Sequence, residues 1–371
     1  MHYSWIKSIF LFPFTILYGI GVWFRNVLFD FDILRGKSFE LPIISIGNLA
    51  VGGTGKTPHI EYLIRLLMEK TSLAVLSRGY KRKTSGYVLA DENSSFRHIG
   101  DEPYQIHLNF PHIPVAVDVN RVHGVECLSK NHDLNIDTVL LDDAYQHRWI
   151  KPGLNILLTD YNHLFVSDSL LPLGNLREPA GRKDRADIVI VTKTPANVTP
   201  IDLRVIYSQL QLHPFQKLFF STFVYGKLVP FMKSEDRMNS SVSFSTLEKD
   251  DVILLVTGIA NPESLIRELK RQNKQLVHLC FNDHHQFTKG DINQIEKKYL
   301  SLIKDGFKCI IITTQKDAAR FSAMNLPEEM KKLMYVLPIE VQFINNSQEL
   351  FNKTIINYVN TNKRNSIFSK K

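Results

Sequence analysis

A chain of 371 residues with 44% hydrophobic and 22% charged residues carries ample material for a core, which excludes an intrinsically disordered protein. It is longer than one average domain, so two α/β lobes are expected. The 45 Lys and Arg against 37 Asp and Glu, a formal charge of +8, favour anionic partners without choosing among nucleotide, nucleic acid and phospholipid. Three scattered cysteines, Cys127, Cys280 and Cys309, match no disulfide or metal spacing and point to a reduced, cytosolic setting.

The first element is apolar. Ile9 to Phe24 carries no charge and is bracketed by Lys7 and Arg25. This run falls short of the roughly 20 residues that span a bilayer, and Pro13 weakens a straight spanning helix. No small-residue cleavage site follows, which argues against a signal peptide. Trp5, Tyr18 and Trp23 are rings suited to a membrane interface, and Arg25, Arg35 and Lys37 suit anionic headgroups. The reading is a monotopic helix on the membrane surface. A helix buried against the protein is the plainer alternative, and a transmembrane span fits least.

Beyond it, apolar runs of strand length alternate with helical patterns or loops. Leu41 to Ile46, Leu73 to Leu76, Thr138 to Leu141, Asn155 to Leu158 and Ile188 to Val191 read as strands, and Pro58 to Met68 as a helix. That alternation predicts a mostly parallel sheet sandwiched by helices. Phe215 to Phe231, two β-rich runs joined through Tyr225-Gly226-Lys227, reads as a hairpin. A second α/β series follows at Val252 to Val256, Leu276 to Phe281 and Cys309 to Ile312. The expected domains are an N-terminal membrane-associated helix (1–36), a P-loop core (37–213), a β-hairpin linker (214–232), a smaller C-terminal α/β lobe (233–362) and a frayed basic tail (363–371).

Gly52-Gly53-Thr54-Gly55-Lys56-Thr57 follows a predicted strand and opens a predicted helix, the context a phosphate-binding loop requires. Glycines let backbone N–H groups turn toward phosphate oxygens, and the helix N-terminus adds a favourable dipole. Lys56 would reach the β- and γ-phosphates of ATP, and the Thr57 hydroxyl would ligate Mg²⁺. The nucleotide-binding segment is Ala50, Val51, Gly52, Gly53, Thr54, Gly55, Lys56 and Thr57, with Ala50 standing where the strict pattern has a glycine. Ile136 to Leu141 ends in Asp142-Asp143, as a Walker B strand does; one carboxylate would hold Mg²⁺ and the other orient a ligand or a lysine. Turn or capping aspartates are the plainer alternative.

Gly100-Asp101-Glu102-Pro103 reads on spacing alone as a helix cap. Asp283-His284-His285 fits a polar turn, a metal ligand pair or an acid/base unit, zinc being the weakest of these without a third ligand. The basic cluster Arg177, Arg182, Lys183 and Arg185 suits either a solvated surface or charge neutralisation on a phosphoryl group.

Taken in order, SIGNLAVGGTGKTP (45–58), SRGYKR (77–82), GDEP (100–103), LLDDAYQHR (140–148), LPLGNLREPAGRKDRAD (171–187), DHH (283–285) and TTQKDAAR (313–320) resemble the tetraacyldisaccharide 4′-kinase family of Gram-negative lipid A biosynthesis. Departures are mild: Ala144-Tyr145 stands where Gly-Phe is usual, and Lys81 where glycine is common. The resemblance implies transfer of the ATP γ-phosphoryl group to the 4′-hydroxyl of tetraacyldisaccharide 1-phosphate, giving lipid IVA. It makes Asp101 the catalytic base, paired with His284. It gives Lys56 to the phosphates, Thr57, Asp142 and Asp143 to Mg²⁺, and Arg121 and Arg177 to charge stabilisation. Gln146 and Glu178 would position metal or substrate, and Arg78 would contact substrate or stabilise charge. The expected protein is a monomer, peripheral or monotopic at the cytoplasmic face of the inner membrane, with a lipid substrate and no nucleic acid partner. A membrane-associated P-loop switch ATPase is the rival, but it carries a lysine where Val51 stands here.

Overall fold

Strands that are apolar at every position need cover on both faces, and a parallel sheet between helices supplies it. The computed structural model describes residues 2–231, 251–271, 275–283 and 285–369, with 2–8 and 363–369 as backbone only. In chain order the elements begin with α1 (His2–Asp30), β1 (Ile43–Asn48), α2 (Lys56–Leu67), β2 (Leu73–Ser77), β3 (Val88–Leu89), α3 (Phe96–Ile99) and α4 (Asp101–Asn109). They continue with β4 (Val115–Val117), α5 (Arg121–Lys130), β5 (Thr138–Asp142), β6 (Leu154–Asp160), β7 (Ile188–Thr192), α6 (Pro200–Leu210), β8 (Lys217–Tyr225) and β9 (Val229–Pro230). The last are β10 (Val252–Thr257), α7 (Glu263–Arg271), β11 (Gln275–Cys280), α8 (Lys289–Lys304), β12 (Cys309–Thr314), α9 (Gln315–Phe321), α10 (Glu328–Leu333), β13 (Met334–Leu337), β14 (Ile339–Phe343) and α11 (Gln348–Ser369). Two compact units result, one from the described residues of 1–93, 110–223 and 341–371, the other from those of 94–109 and 224–340.

The first unit holds a nine-stranded sheet in the order β14-β8-β7-β6-β1-β5-β2-β4-β3. From β8 to β4 each pair is parallel, and β3 is antiparallel to β4. Strands β1, β2, β5 and β7 are buried throughout. Helix α2 buries Ile60, Leu63, Ile64 and Leu67, the i, i+3, i+4, i+7 stripe of a helix packed on a sheet. Strand β1 runs between β5 and β6, so the loop leaving its carboxyl end opens where chain connections diverge, the place where such sheets bind ligands.

Helix α1 lies against this unit along one face. Thr15 Oγ1 accepts from the Leu173 N–H at 3.2 Å, Tyr18 Oη donates to the Arg177 carbonyl at 2.9 Å, and Arg25 meets Glu178 at 2.5 Å. Arg148 and Arg182 both reach Asp30, at 2.8 and 2.7 Å. On the other side Phe10, Phe14, Leu17, Ile20, Trp23 and Phe24 are exposed.

The second unit has a five-stranded sheet in the order β11-β10-β12-β13-β9, parallel except for β9 against β13. Its core gathers Val252, Leu254, Val256, Phe287, Ile295, Ile311 and Phe321. Helices α4 and α9 pack together, with Tyr104 and Ser322 hydroxyls 3.2 Å apart.

Three expectations need correction. Phe215 to Phe231 is not a hairpin: β8 pairs in the large sheet and β9 in the small one, because the Gly226 N–H turns to the Pro338 carbonyl at 3.0 Å instead of back on its own strand. The units cut across the expected boundaries of 37–213 and 233–362. Residues 94–109 join the second unit because α4 packs on α9, whereas Phe351 of α11 stacks on Phe343 at 4.3 Å and meets Phe219 edge-on at 5.2 Å in the first. The tail is helical through Ser369 as the last turns of α11.

Candidate active site

The phosphate-binding loop leaves β1 at Asn48 and enters α2 at Lys56. Gly52 and Gly55 take φ of 114° and 86°, left-handed values that a side chain rarely adopts. A Cβ on Gly55 would also collide with the Phe223 ring. Val51, Gly52 and Gly53 are exposed, whereas Thr54 is buried and its carbonyl accepts from Thr192 Oγ1 at 2.9 Å. Ala50 forms an isolated antiparallel bridge with Leu176, the Val51 N–H donates to the Asn175 carbonyl at 2.8 Å, and the Arg177 N–H donates to Leu49 at 2.7 Å. The 171–187 segment is thus stitched to the loop by backbone bonds, and this carries Arg177 to the site.

Lys56 Nζ donates to Asn48 Oδ1 at 3.2 Å and faces Asp143 at 3.6 Å. Arg177 donates to both Asp143 oxygens at 3.2 Å and to Gln146 Oε1 at 3.4 Å, while the Gln146 amide donates to the Asn48 carbonyl at 2.7 Å. Arg121, 2% exposed, spans the Asp143, Asp118 and Val119 carbonyls. Burial pushes its guanidinium down to about 10, against the pull of Asp142 and Asp143. Burial raises the Asp143 carboxyl, but Lys56 and Arg177 outweigh it and hold the group below its ordinary range. Asp143 sits at φ 48°, a strained backbone position of the kind that clusters at functional sites. Asp142, at the buried end of β5, accepts from Ser77 Oγ at 3.0 Å.

Thr57, Asp142 and Asp143 offer only hydroxyl and carboxylate oxygens, a donor set that fits a hard, oxygen-seeking ion such as Mg²⁺. Among the described residues no three His, Cys, Asp or Glu side chains form a separate metal cluster. Arg78 is exposed just past β2 and adds to the positive field felt by Arg121. Glu178 does not join the Lys56 group: only 1% exposed, it binds Arg25 through one oxygen and Arg185 through the other, so it anchors α1.

Asp101 opens α4 in the second unit, where Arg320 donates to its Oδ2 from Nη2 at 2.7 Å and from Nε at 3.2 Å. His284 lies outside the described residues. Its neighbour His285 is held by Asp291 at 3.0 Å and stacked on Phe281.

Spacing alone did not single out Asn48, His59 or Arg320. Asn48 is a fully buried amide ending an apolar strand, which is itself a signal. His59, one helical turn after Gly55, bonds the Gly55 carbonyl from Nδ1 at 2.8 Å and Ser221 Oγ from Nε2 at 3.0 Å. Arg320 meets Asp101 across 219 residues of sequence, so no local pattern announces it.

Comparison with known proteins gives the family. The family model described as tetraacyldisaccharide-1-P 4′-kinase matches residues 7–359. A tetraacyldisaccharide 4′-kinase of Phocaeicola vulgatus is 51% identical over 361 residues, covering 97% of both chains. One from Bacteroides thetaiotaomicron is 51% identical over 366 residues, covering 97% of this chain and 96% of its own. The solved structure of LpxK from Aquifex aeolicus in complex with ATP superposes with a TM-score of 0.73 at 29% identity, over 95% of this chain and 99% of that one. With the phosphate loop, the paired aspartates and the stitched arginine segment, these likenesses place the chain in the tetraacyldisaccharide-1-P 4′-kinase family.

Proposed function

We propose that this chain transfers the γ-phosphoryl group of ATP to the 4′-hydroxyl of tetraacyldisaccharide 1-phosphate, giving lipid IVA, as a monotopic monomer at the cytoplasmic face of a bacterial inner membrane. The observation that carries the reading is the cluster of Lys56, Arg177 and Arg121 around Asp143 beside the phosphate-binding loop. Phosphoryl transfer asks chiefly for positioning and neutralisation of charge, and this cluster supplies fixed positive groups for both. As ATP binds, Lys56 exchanges its Asn48 and Asp143 contacts for phosphate oxygens, and the loop's backbone N–H groups cradle the same phosphates. Arg177, fixed by Gln146 and Asp143, faces the charge that develops on the transferring group. Thr57, Asp142 and Asp143 would hold Mg²⁺, which when bound neutralises charge on the β- and γ-phosphates. Asp101, with His284 as its partner, orients the acceptor hydroxyl and takes its proton.

The acyl chains of the substrate stay in the bilayer, so the enzyme works at the interface. Helix α1 suits that place. Its stretch Ile9–Asp30 is long and apolar enough to cross a membrane, yet its polar face is spent on the protein through Thr15, Tyr18 and Arg25, which favours a helix lying in the interface.

In a micelle assay with γ-labelled ATP, Lys56→Ala and Asp101→Ala each lower lipid labelling by about 100-fold or more. Wild-type rates in Asp101→Ala would remove Asp101 from the chemistry, and wild-type rates in Lys56→Ala would remove the loop.

A further inference from the structure

Arg320 is 3% exposed and serves two carboxylates at once. From Nη1 it donates to Asp317 Oδ1 at 2.9 Å and to the Gly258 carbonyl at 3.1 Å, and from Nη2 and Nε to Asp101 Oδ2. Asp317 is itself held: wholly buried, it accepts from the Gly258 N–H at 2.9 Å and from Thr314 Oγ1 at 2.8 Å. Gly258 follows β10 and Thr314 ends β12, so the chain of bonds begins on the central strands of the small sheet and ends on the first residue of α4.

Such an assembly is a poor way to gain stability. Burying a guanidinium and two carboxylates costs several kcal/mol of desolvation per ion, and a well-packed apolar trio is often as stable. What the trio does provide is geometry. The planar guanidinium makes two bonds to one oxygen of Asp101, which pins that oxygen in place, while 17% of the Asp101 side chain remains exposed. In a loose phosphoryl-transfer transition state the proton leaves late, so orienting the hydroxyl matters more than the strength of the base. Sharing its positive charge with Asp317, Arg320 aims Asp101 without claiming its whole charge.

We infer that Arg320, braced by Asp317, is the positioning residue that aims Asp101 at the acceptor hydroxyl. This rests on Asp101 being the base. It gives a role to the TTQKDAAR segment, which the phosphate chemistry leaves unused.

A double-mutant cycle in the micelle assay tests it, with kcat and both KM values measured for Arg320→Gln, Arg320→Lys, Asp101→Asn and the Asp101→Asn/Arg320→Gln pair. Arg320→Gln lowers kcat by about 10- to 100-fold with both KM values within about twofold, and Arg320→Lys recovers part of the loss. In the Asp101→Asn background Arg320→Gln costs no more than about twofold, because a group that acts only through Asp101 has nothing left to aim. Equal losses in both backgrounds, or a loss carried by KM, would show a merely structural role and overturn the inference. Should Arg320→Gln fail to fold, Arg320→Lys, which keeps the charge but not the fork, carries the same cycle with a kcat loss of about 3- to 10-fold. If Asp101→Asn alone turns over like wild type, the base reading has failed; if it is impaired while the Arg320 variants are not, only the positioning role has failed.

Discussion

His59 is 2% exposed beneath the phosphate-binding loop, and burial pulls its imidazole down to about 4. Its two ring nitrogens tie the Gly55 carbonyl to Ser221, so a neutral ring is built into the loop's support. A depressed imidazole stabilises the fold fully above the unfolded value of 6.5 and loses that contribution as pH falls toward about 4. At 1.36 kcal/mol per pKa unit the full effect is roughly 3 kcal/mol. Urea unfolding at pH 7.5 and pH 5.0 therefore shows wild type losing about 2 kcal/mol more on acidification than His59→Asn. Equal losses would mean that His59 does not set the acid sensitivity. His147 is also pulled down to about 4, by burial and then by Arg121, Arg78 and Arg25, and it acts in both proteins alike.

At the scale of elements, the loop between β1 and α2 separates two glycines with different duties. Gly55 has φ of 86° and the Phe223 ring against it, whereas a Cβ on Gly53 meets nothing within 4 Å. Gly55→Ala costs at least about 1–2 kcal/mol in backbone strain, plus the displacement of Phe223, and weakens ATP binding by about 10-fold or more. Gly53→Ala melts within about 0.5 kcal/mol of wild type. Thermal melts with and without ATP read both; equal destabilisation would contradict the assignment. Strands β1, β2, β5, β6, β7, β10 and β12 were legible because a strand buried on two faces is an unbroken apolar run, and β11, only partly buried at the sheet edge, was legible as a mostly apolar run of strand length. The three-residue β4 and two-residue β3 and β9 are too short to show a period. Tyr225-Gly226-Lys227 carries turn signals, but its partner at Pro338 lies over a hundred residues away, so local pattern pointed to a hairpin that does not form. Likewise Lys56, Thr57 and the Asp142-Asp143 pair declare themselves within short motifs. The delivery of Arg177 by the Leu49 backbone, and of Arg320 to Asp101, depends on pairings that spacing does not encode.

For the whole molecule, the proposed reaction requires the same chain to hold a soluble nucleotide and a lipid substrate. The +8 charge and the exposed apolar side of α1 favour an anionic membrane surface together. Phe10 and Leu17 are 70% and 67% exposed. If each enters the acyl boundary at roughly 1.5–3 kcal/mol, then Phe10→Asp/Leu17→Asp weakens sedimentation with anionic vesicles by about 100-fold or more while ATP affinity is unchanged. Undiminished vesicle binding would place the membrane contact elsewhere. The most direct measurement of the central claim supplies wild-type protein with γ-labelled ATP, Mg²⁺ and tetraacyldisaccharide 1-phosphate in mixed micelles, and locates the transferred phosphate on the lipid by fragmentation mass spectrometry. The account predicts a bis-phosphorylated product labelled at the 4′ position; ATP hydrolysis with unlabelled lipid would contradict it.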